Sequence, residues 1–128
     1  MQDPYPVTPF TTPVRGSVTV PGSKSITNRA LIIAALADGE TVLQNCLFSE
    51  DTEIMVKALQ DLGFDVQPDP TAKTIRVVGL SGEIPNKKAE LFVGNSGTSA
   101  RFLTAFLCLS QGGDYTLDGV PQMRKRPI

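Results

Sequence analysis

Two stretches of this chain are written to one plan, and that repeat limits what the chain can fold into. In the first, the alternating run Ser17 to Val20 reads as a strand, and Pro21-Gly22 turns the chain. Ala30-Leu31-Ile32-Ile33-Ala34-Ala35-Leu36-Ala37 then follows, too rich in Ala and Leu to be anything but helix. In the second, Leu91-Phe92-Val93 runs into Gly94-Asn95-Ser96-Gly97, and an apolar helix opens with Arg101 in its first turn. Arg101 lies 72 residues after Arg29. Asp38-Gly39 ends the first helix and Gly112-Gly113 the second, and a strand follows each, Thr41 to Gln44 and Tyr115 to Asp118. A repeat of this length marks duplicated folding units. Strand and helix in alternation point to an α/β (α+β) protein.

Each helix start is a place for an anion. The free N–H groups of a first turn, with roughly half a positive charge from the helix dipole, attract phosphate or carboxylate. Ser25 is the expected N-cap of the first helix, with Lys24 just outside its end and Arg29 one turn inside. From this spacing alone, solvated surface charges are the slightly favoured reading. The second copy of the arrangement favours a ligand with more than one acidic group, or two acidic ligands side by side.

The rest of the chain fills in around these units. Residues 1–13 are Pro-rich and extended; residues 14–88 read as a first folding unit and 89–128 as a second, truncated one. Val14 to Val20 alternates as a half-buried strand does. The first helix is expected from Ile26 to Ala37 and a strand from Glu40 to Leu47. Ser49-Glu50-Asp51-Thr52-Glu53 opens another helix, whose Ile54, Met55, Ala58, Leu59 and Leu62 form one core-facing stripe, with Gly63 as the stop. Asp51 has two readings, as a helix cap or as a carboxylate at the rim of the anion site. Phe64 to Gln67 and Thr74 to Val78 read as strands joined through Asp69-Pro70-Thr71, and Leu80 to Lys88 as a loop. Gly119-Val120-Pro121 turns the chain. The second unit then stops before the helix and hairpin that the first unit has, so a truncated chain is expected.

Composition excludes several kinds of function. The 128 residues carry a net charge of −1, so attraction of the whole molecule to nucleic acid or to a membrane surface is not expected. The basic groups are local, at Lys24, Arg29, Arg101 and Arg124-Lys125-Arg126, and no aromatic is interleaved with that last run. No apolar run approaches the ~20 residues of a membrane span, and the N-terminus, with four prolines by Pro13, does not read as a signal peptide; a cytoplasmic protein is expected. There is no histidine, which removes the commonest general base and any Ser-His or Cys-His nucleophile. No cluster has metal-ligand spacing, and no metal or cofactor is expected. Cys46 and Cys108 are expected to be free, buried thiols. Gly22-Ser23-Lys24-Ser25 echoes a P-loop but lacks its upstream Gly and the Gly before Lys. Asn95-Ser96-Gly97-Thr98 lacks the dinucleotide fingerprint.

Val-Pro-Gly-Ser-Lys-Ser at 20–25, Asn-Arg-Ala-Leu at 28–31, Gly-Asn-Ser-Gly-Thr at 94–98 with Arg101, and Met-Arg-Lys-Arg-Pro-Ile at 123–128 together resemble the EPSP synthase family of enolpyruvyl transferases. The resemblance runs from about Val14 to the last residue. A sister family, UDP-N-acetylglucosamine enolpyruvyl transferase, is less similar: it typically has Lys-Asn where Lys24-Ser25 stand, and uses a loop cysteine in the stretch that here reads Gly119 to Arg126 without one. A non-catalytic phosphate-binding module built from the same unit is a further alternative.

The resemblance implies two globular halves, each of three β-α-β-α-β-β units (the inverse αβ-prism), with ligands in the cleft between them and residues 1–13 belonging with the half absent here. It implies transfer of the enolpyruvyl group of phosphoenolpyruvate to the 5-hydroxyl of shikimate 3-phosphate, by a monomer without cofactor, inactive as this piece alone. By position, Lys24 and Asp51 would be catalytic, with Lys24 contacting both substrates. Ser25 and Arg29 would hold shikimate 3-phosphate. Asn95, Gly97, Thr98 and Arg126 would line the phosphoenolpyruvate site, with Arg101 at the cleft. Phe102 stands where many members carry Pro, so sensitivity to the inhibitor glyphosate does not follow.

Overall fold

A computed structural model describes Pro4 and residues 6–127. The expected segment 1–13 therefore lies partly outside the described residues, as does Ile128 of the last motif. The elements run α1 (Lys24–Leu36), β1 (Asp38–Leu43), α2 (Glu50–Asp61), β2 (Val66–Asp69), β3 (Thr74–Leu80), β4 (Lys88–Phe92), α3 (Gly97–Leu107), β5 (Asp114–Asp118) and α4 (Pro121–Arg124). Strands β1, β3 and β2 form an antiparallel sheet in that order, with Glu40 opposite Val78 and Gln67 opposite Arg76. Strands β4 and β5 form a parallel pair, Leu91 opposite Leu117, joined through α3. A parallel pair needs a crossover, and the run from Gly97 to Leu107 supplies one.

Several expectations need correction. Val14 to Val20 forms no strand: the segment has no regular structure and is exposed, with Val18 at 87% and Val20 at 73%. Alternation marks a strand only when a neighbouring strand takes its N–H and C=O groups, and the described residues offer this segment none. Helix α1 begins two residues earlier than expected, because Ser23 and not Ser25 is its N-cap: the Ser23 hydroxyl accepts from the Ile26 N–H at 3.4 Å. Lys24 and Ser25 are thus inside the first turn. Strand β1 stops at Leu43 rather than Leu47. Cys108 is exposed at the C-cap of α3, and Cys46 alone is buried; both are free. The turn at Gly119-Val120-Pro121 leads into α4, whose signal was Pro121 at the first helical position.

One core joins the elements. Leu31 of α1, Met55 and Leu59 of α2, Ile75 and Val77 of β3, Leu91 of β4 and Leu103 of α3 are all buried in it. The α2 stripe faces inward as its spacing requires, and Gly63 ends the helix at φ +93°. Phe64 and Phe106 meet with ring centroids 5.8 Å apart, tying the hairpin to α3. Helix α1 lies so close on β3 that a Cβ at Gly79 would fall 2.2 Å from the Ala34 carbonyl oxygen and 2.3 Å from that of Ala37. Only glycine fits there. These contacts stack α1, α2 and α3 side by side and bring their N-terminal ends together.

Candidate active site

The site is built from three helix starts. Ser23 caps α1, Ser49 caps α2, and Ser96 caps α3 through its hydroxyl, which accepts from the Ser99 N–H at 3.3 Å. At α2 the cap is reciprocal: the Ser49 N–H donates to the Thr52 hydroxyl at 2.8 Å. The three ends are cross-linked. Lys24 Nζ lies 2.7 Å from Asp51 Oδ2, joining α1 to α2. The Ser99 hydroxyl donates to the backbone carbonyl of Asp51 at 3.3 Å, joining α3 to α2. The Arg29 guanidinium stands over the Phe102 ring at 5.6 Å, joining α1 to α3. Three positive helix ends therefore converge, and a side-chain carboxylate at one of them holds a lysine at another.

Of the two sequence readings of Asp51, the structure departs from the first, the helix cap, and keeps the second, a carboxylate beside Lys24. Ser49 does the capping, and the Asp51 carboxylate faces Lys24. Ser25 is half-buried in the first turn of α1, and its carbonyl accepts from Arg29 Nη1 at 3.1 Å. At α3 the backbone is open by design. A Cβ on Gly97 would lie 3.2 Å from Arg101 Nη1 and 3.4 Å from Arg126 Nη1, so two guanidinium groups crowd one first-turn residue. Arg101 Nη1 also donates to the Gly97 carbonyl at 3.4 Å, and Arg126 Nη1 to the Asn95 carbonyl at 3.4 Å. Asn95 is exposed and Thr98 half-buried at the same end. Arg126 closes an open groove of about 400 Å3 lined by Val93, Ala100, Asp118, Met123 and Arg124.

All nine residues singled out from sequence therefore lie on or beside these three helix starts, in two groups. Lys24, Asp51, Ser25 and Arg29 surround α1 and α2. Asn95, Gly97, Thr98, Arg101 and Arg126 surround α3. Contacts that sequence reasoning missed are Ser99 to Asp51, Arg29 to Phe102, and an ion pair between Asp118 and Arg124. The Ser96-x-x-Ser99 spacing was the one available signal, being that of a cap and its third helical residue. A second groove, about 300 Å3, lies between α2 and the β2–β3 hairpin. It is apolar, lined by Phe48, Val56, Pro68 and Ile75, and its Lys57 is paired with Asp61. No group of three metal-ligating side chains occurs among the described residues, and none of their helices is long and apolar enough to cross a membrane.

Three helix starts on an open α/β framework meet at one face, with Lys24 and Arg29 at α1, Arg101 at α3 and acidic residues at α2, the arrangement of a class of α/β proteins suited to anionic small molecules. The comparisons make that class specific. The family model for EPSP synthase (3-phosphoshikimate 1-carboxyvinyltransferase) matches residues 9–128. Among curated relatives of that name, the protein of Nostoc punctiforme is 53% identical over 116 residues, covering 91% of this chain and 27% of its own length. That of Ralstonia nicotianae is 56% identical over 114 residues, covering 89% and 26%. A solved EPSP synthase structure from Acinetobacter baumannii superposes with a TM-score of 0.75 at 30% identity, covering 88% of this chain and 25% of that one. The chain belongs to the EPSP synthase family and has its fold. It spans about a quarter of the length of the relatives it matches.

Proposed function

We propose that this chain supplies one wall of a site that transfers the enolpyruvyl group of phosphoenolpyruvate to the 5-hydroxyl of shikimate 3-phosphate, giving EPSP and phosphate. The observation that carries the reading is the convergence of three helix starts with Lys24 and Asp51 in contact at 2.7 Å and Arg101 and Arg126 both close to where a Cβ on Gly97 would stand. The two groups of residues match two acidic substrates. Ser25 and Arg29 beside α1 hold shikimate 3-phosphate. Asn95, Gly97, Thr98 and Arg126 at α3 hold phosphoenolpyruvate, and Arg101 lines the cleft. Lys24 reaches both.

In the reaction the 5-hydroxyl gives up its proton as its oxygen bonds to C2 of phosphoenolpyruvate, and C3 gains a proton. Phosphate then leaves from C2 as C3 gives up a proton, restoring the double bond. The intermediate carries two carboxylates and two phosphates, so fixed cations and helix starts lower the barrier by stabilising charge already in place. Arg101 and Arg126 give forked, permanently charged contacts to such groups. Gly97 lets the α3 N–H groups approach the ligand. Asp51 holds the Lys24 ammonium over the junction of α1 and α2, between the two substrates. Residues 1–13, 14–88 and 89–128 serve as an arm belonging with another half of the enzyme, a first unit and part of a second. The whole enzyme works as a monomer in the cytoplasm.

The test joins this chain to the remaining three quarters of the Nostoc punctiforme relative, in place of the region it matches. Release of phosphate from phosphoenolpyruvate only when shikimate 3-phosphate is present is the expected result. A folded chimaera that binds neither substrate would sink the reading.

A further inference from the structure

The basic run Arg124-Lys125-Arg126 divides its labour. Arg126 reaches the start of α3, but Arg124 is held by Asp118. Its Nε donates to Asp118 Oδ1 at 2.7 Å and its Nη2 donates to Asp118 Oδ2, a forked pair. The Gly119 N–H donates to the same Oδ1 at 2.8 Å. The backbone of Asp118 is engaged as well, because its carbonyl accepts from the Val93 N–H at 2.8 Å. Two residues on, the Val120 N–H donates to the Gly94 carbonyl at 3.1 Å. Asp118 is thus the point where the end of β5, the end of β4 and α4 are tied together. Both turns tied there lead to the α3 site: the β4 side continues into Asn95 and Gly97, the α4 side into Arg126. The Arg124 guanidinium, with the Gly119 N–H, holds the Asp118 carboxyl below the usual carboxylate range, so the fork stays charged near neutrality.

We infer that Asp118 is a positioning residue for phosphoenolpyruvate, which through its fork with Arg124 fixes α4 and so aims Arg126 at the start of α3. The inference rests on the function proposed above. Asp118 and Arg124 touch no substrate in this scheme; they set where Arg126 stands.

The test uses the chimaera with Asp118→Asn, Arg124→Gln and the two together. Each single change is expected to raise KM for phosphoenolpyruvate about fivefold, since a misaimed guanidinium loses its fork on the ligand, while kcat and KM for shikimate 3-phosphate stay within about twofold. The double variant is expected to be no worse than either single, because both break one contact. An unchanged KM for phosphoenolpyruvate in both singles, or equal losses for the two substrates, overturns the inference. A second readout is independent of activity. In the 128-residue chain the Arg126 Nε–H resonance, assigned with Arg126→Lys, is expected to shift in Asp118→Asn while that of Arg29 stays in place. An inactive wild-type chimaera with a shifted Arg126 would reject the proposed function and keep the positioning; a still Arg126 would reject the positioning whatever the activity.

Discussion

Single residues decide how the helix starts are used. Asp51 is the sharpest case, since its carboxylate could have been spent on capping α2. Ser49 and Thr52 do that work between them, which leaves Asp51 at 2.7 Å from Lys24. Asp51→Asn removes the charge but keeps the shape, so the chimaera should lose at least about tenfold in kcat/KM with both substrates, while its thermal midpoint moves little because a half-exposed pair contributes little stability. Gly97→Ala puts a methyl group 3.2 Å from Arg101 and 3.4 Å from Arg126. Both guanidinium groups can swing away, so the fold should survive and KM for phosphoenolpyruvate should rise. Asn28 behaves differently. It is fully buried one turn below Lys24, and its side-chain N and O have no hydrogen-bond partner among the described residues. Asn28→Leu in the 128-residue chain should therefore be neutral or stabilising by up to ~1 kcal/mol in a urea melt, and a clear loss would reveal a partner for the amide. The residue types at the site were legible in sequence. Which hydroxyl capped which helix was not: Ser25 was the expected cap of α1, and Ser23 takes that place because the helix starts two residues earlier.

At the scale of elements, periodicity gave α2 and the β2–β3 hairpin, and it gave both helices that follow the turns. It misled at Val14 to Val20, where alternation was present but a pairing strand was not. Pairing is a property of the neighbour, and no local pattern contains it. It also could not reveal that α1 lies directly on β3. That contact makes a strong prediction: Gly79→Ala drives a methyl into the Ala34 and Ala37 carbonyls, backbone atoms that cannot step aside. The cost should be about 2–4 kcal/mol in the chimaera's unfolding free energy, well above the ~1 kcal/mol typical of point changes. Arg76 shows the opposite sort of element-level contact. From the central strand β3 it donates to Glu40 at 2.7 Å and to Asp65 at 2.8 Å, clamping β1 and the start of β2 from one side chain.

For the whole molecule, those acid–base clamps set the response to pH. Asp65 is held below the usual carboxylate range by its hydrogen bond from Arg76, and Asp118 by that from Arg124. A carboxyl whose folded pKa is depressed lends stability that is complete above its unfolded value, roughly 3.9, and is lost as pH falls through the folded value. The melting temperature should therefore be flat near neutrality and decline below about pH 4, and Asp65→Asn should flatten that decline. Ile26 and Ile33 on one face of α1, and Val42 and Phe92, are apolar residues left exposed. The parallel pair β4–β5 carries a further consequence, one of timing. Its partners are separated by the whole of α3, whereas β2 and β3 meet across a four-residue turn. Closing the longer loop costs more chain entropy before any ladder bond forms. The hairpin should thus be an early folding event and β4–β5 a late one. In the native state the order reverses: amide protons of β4 and β5 should exchange with deuterium before those of β3, so the end that presents Gly97 and Arg126 belongs to the part of the molecule that opens most readily.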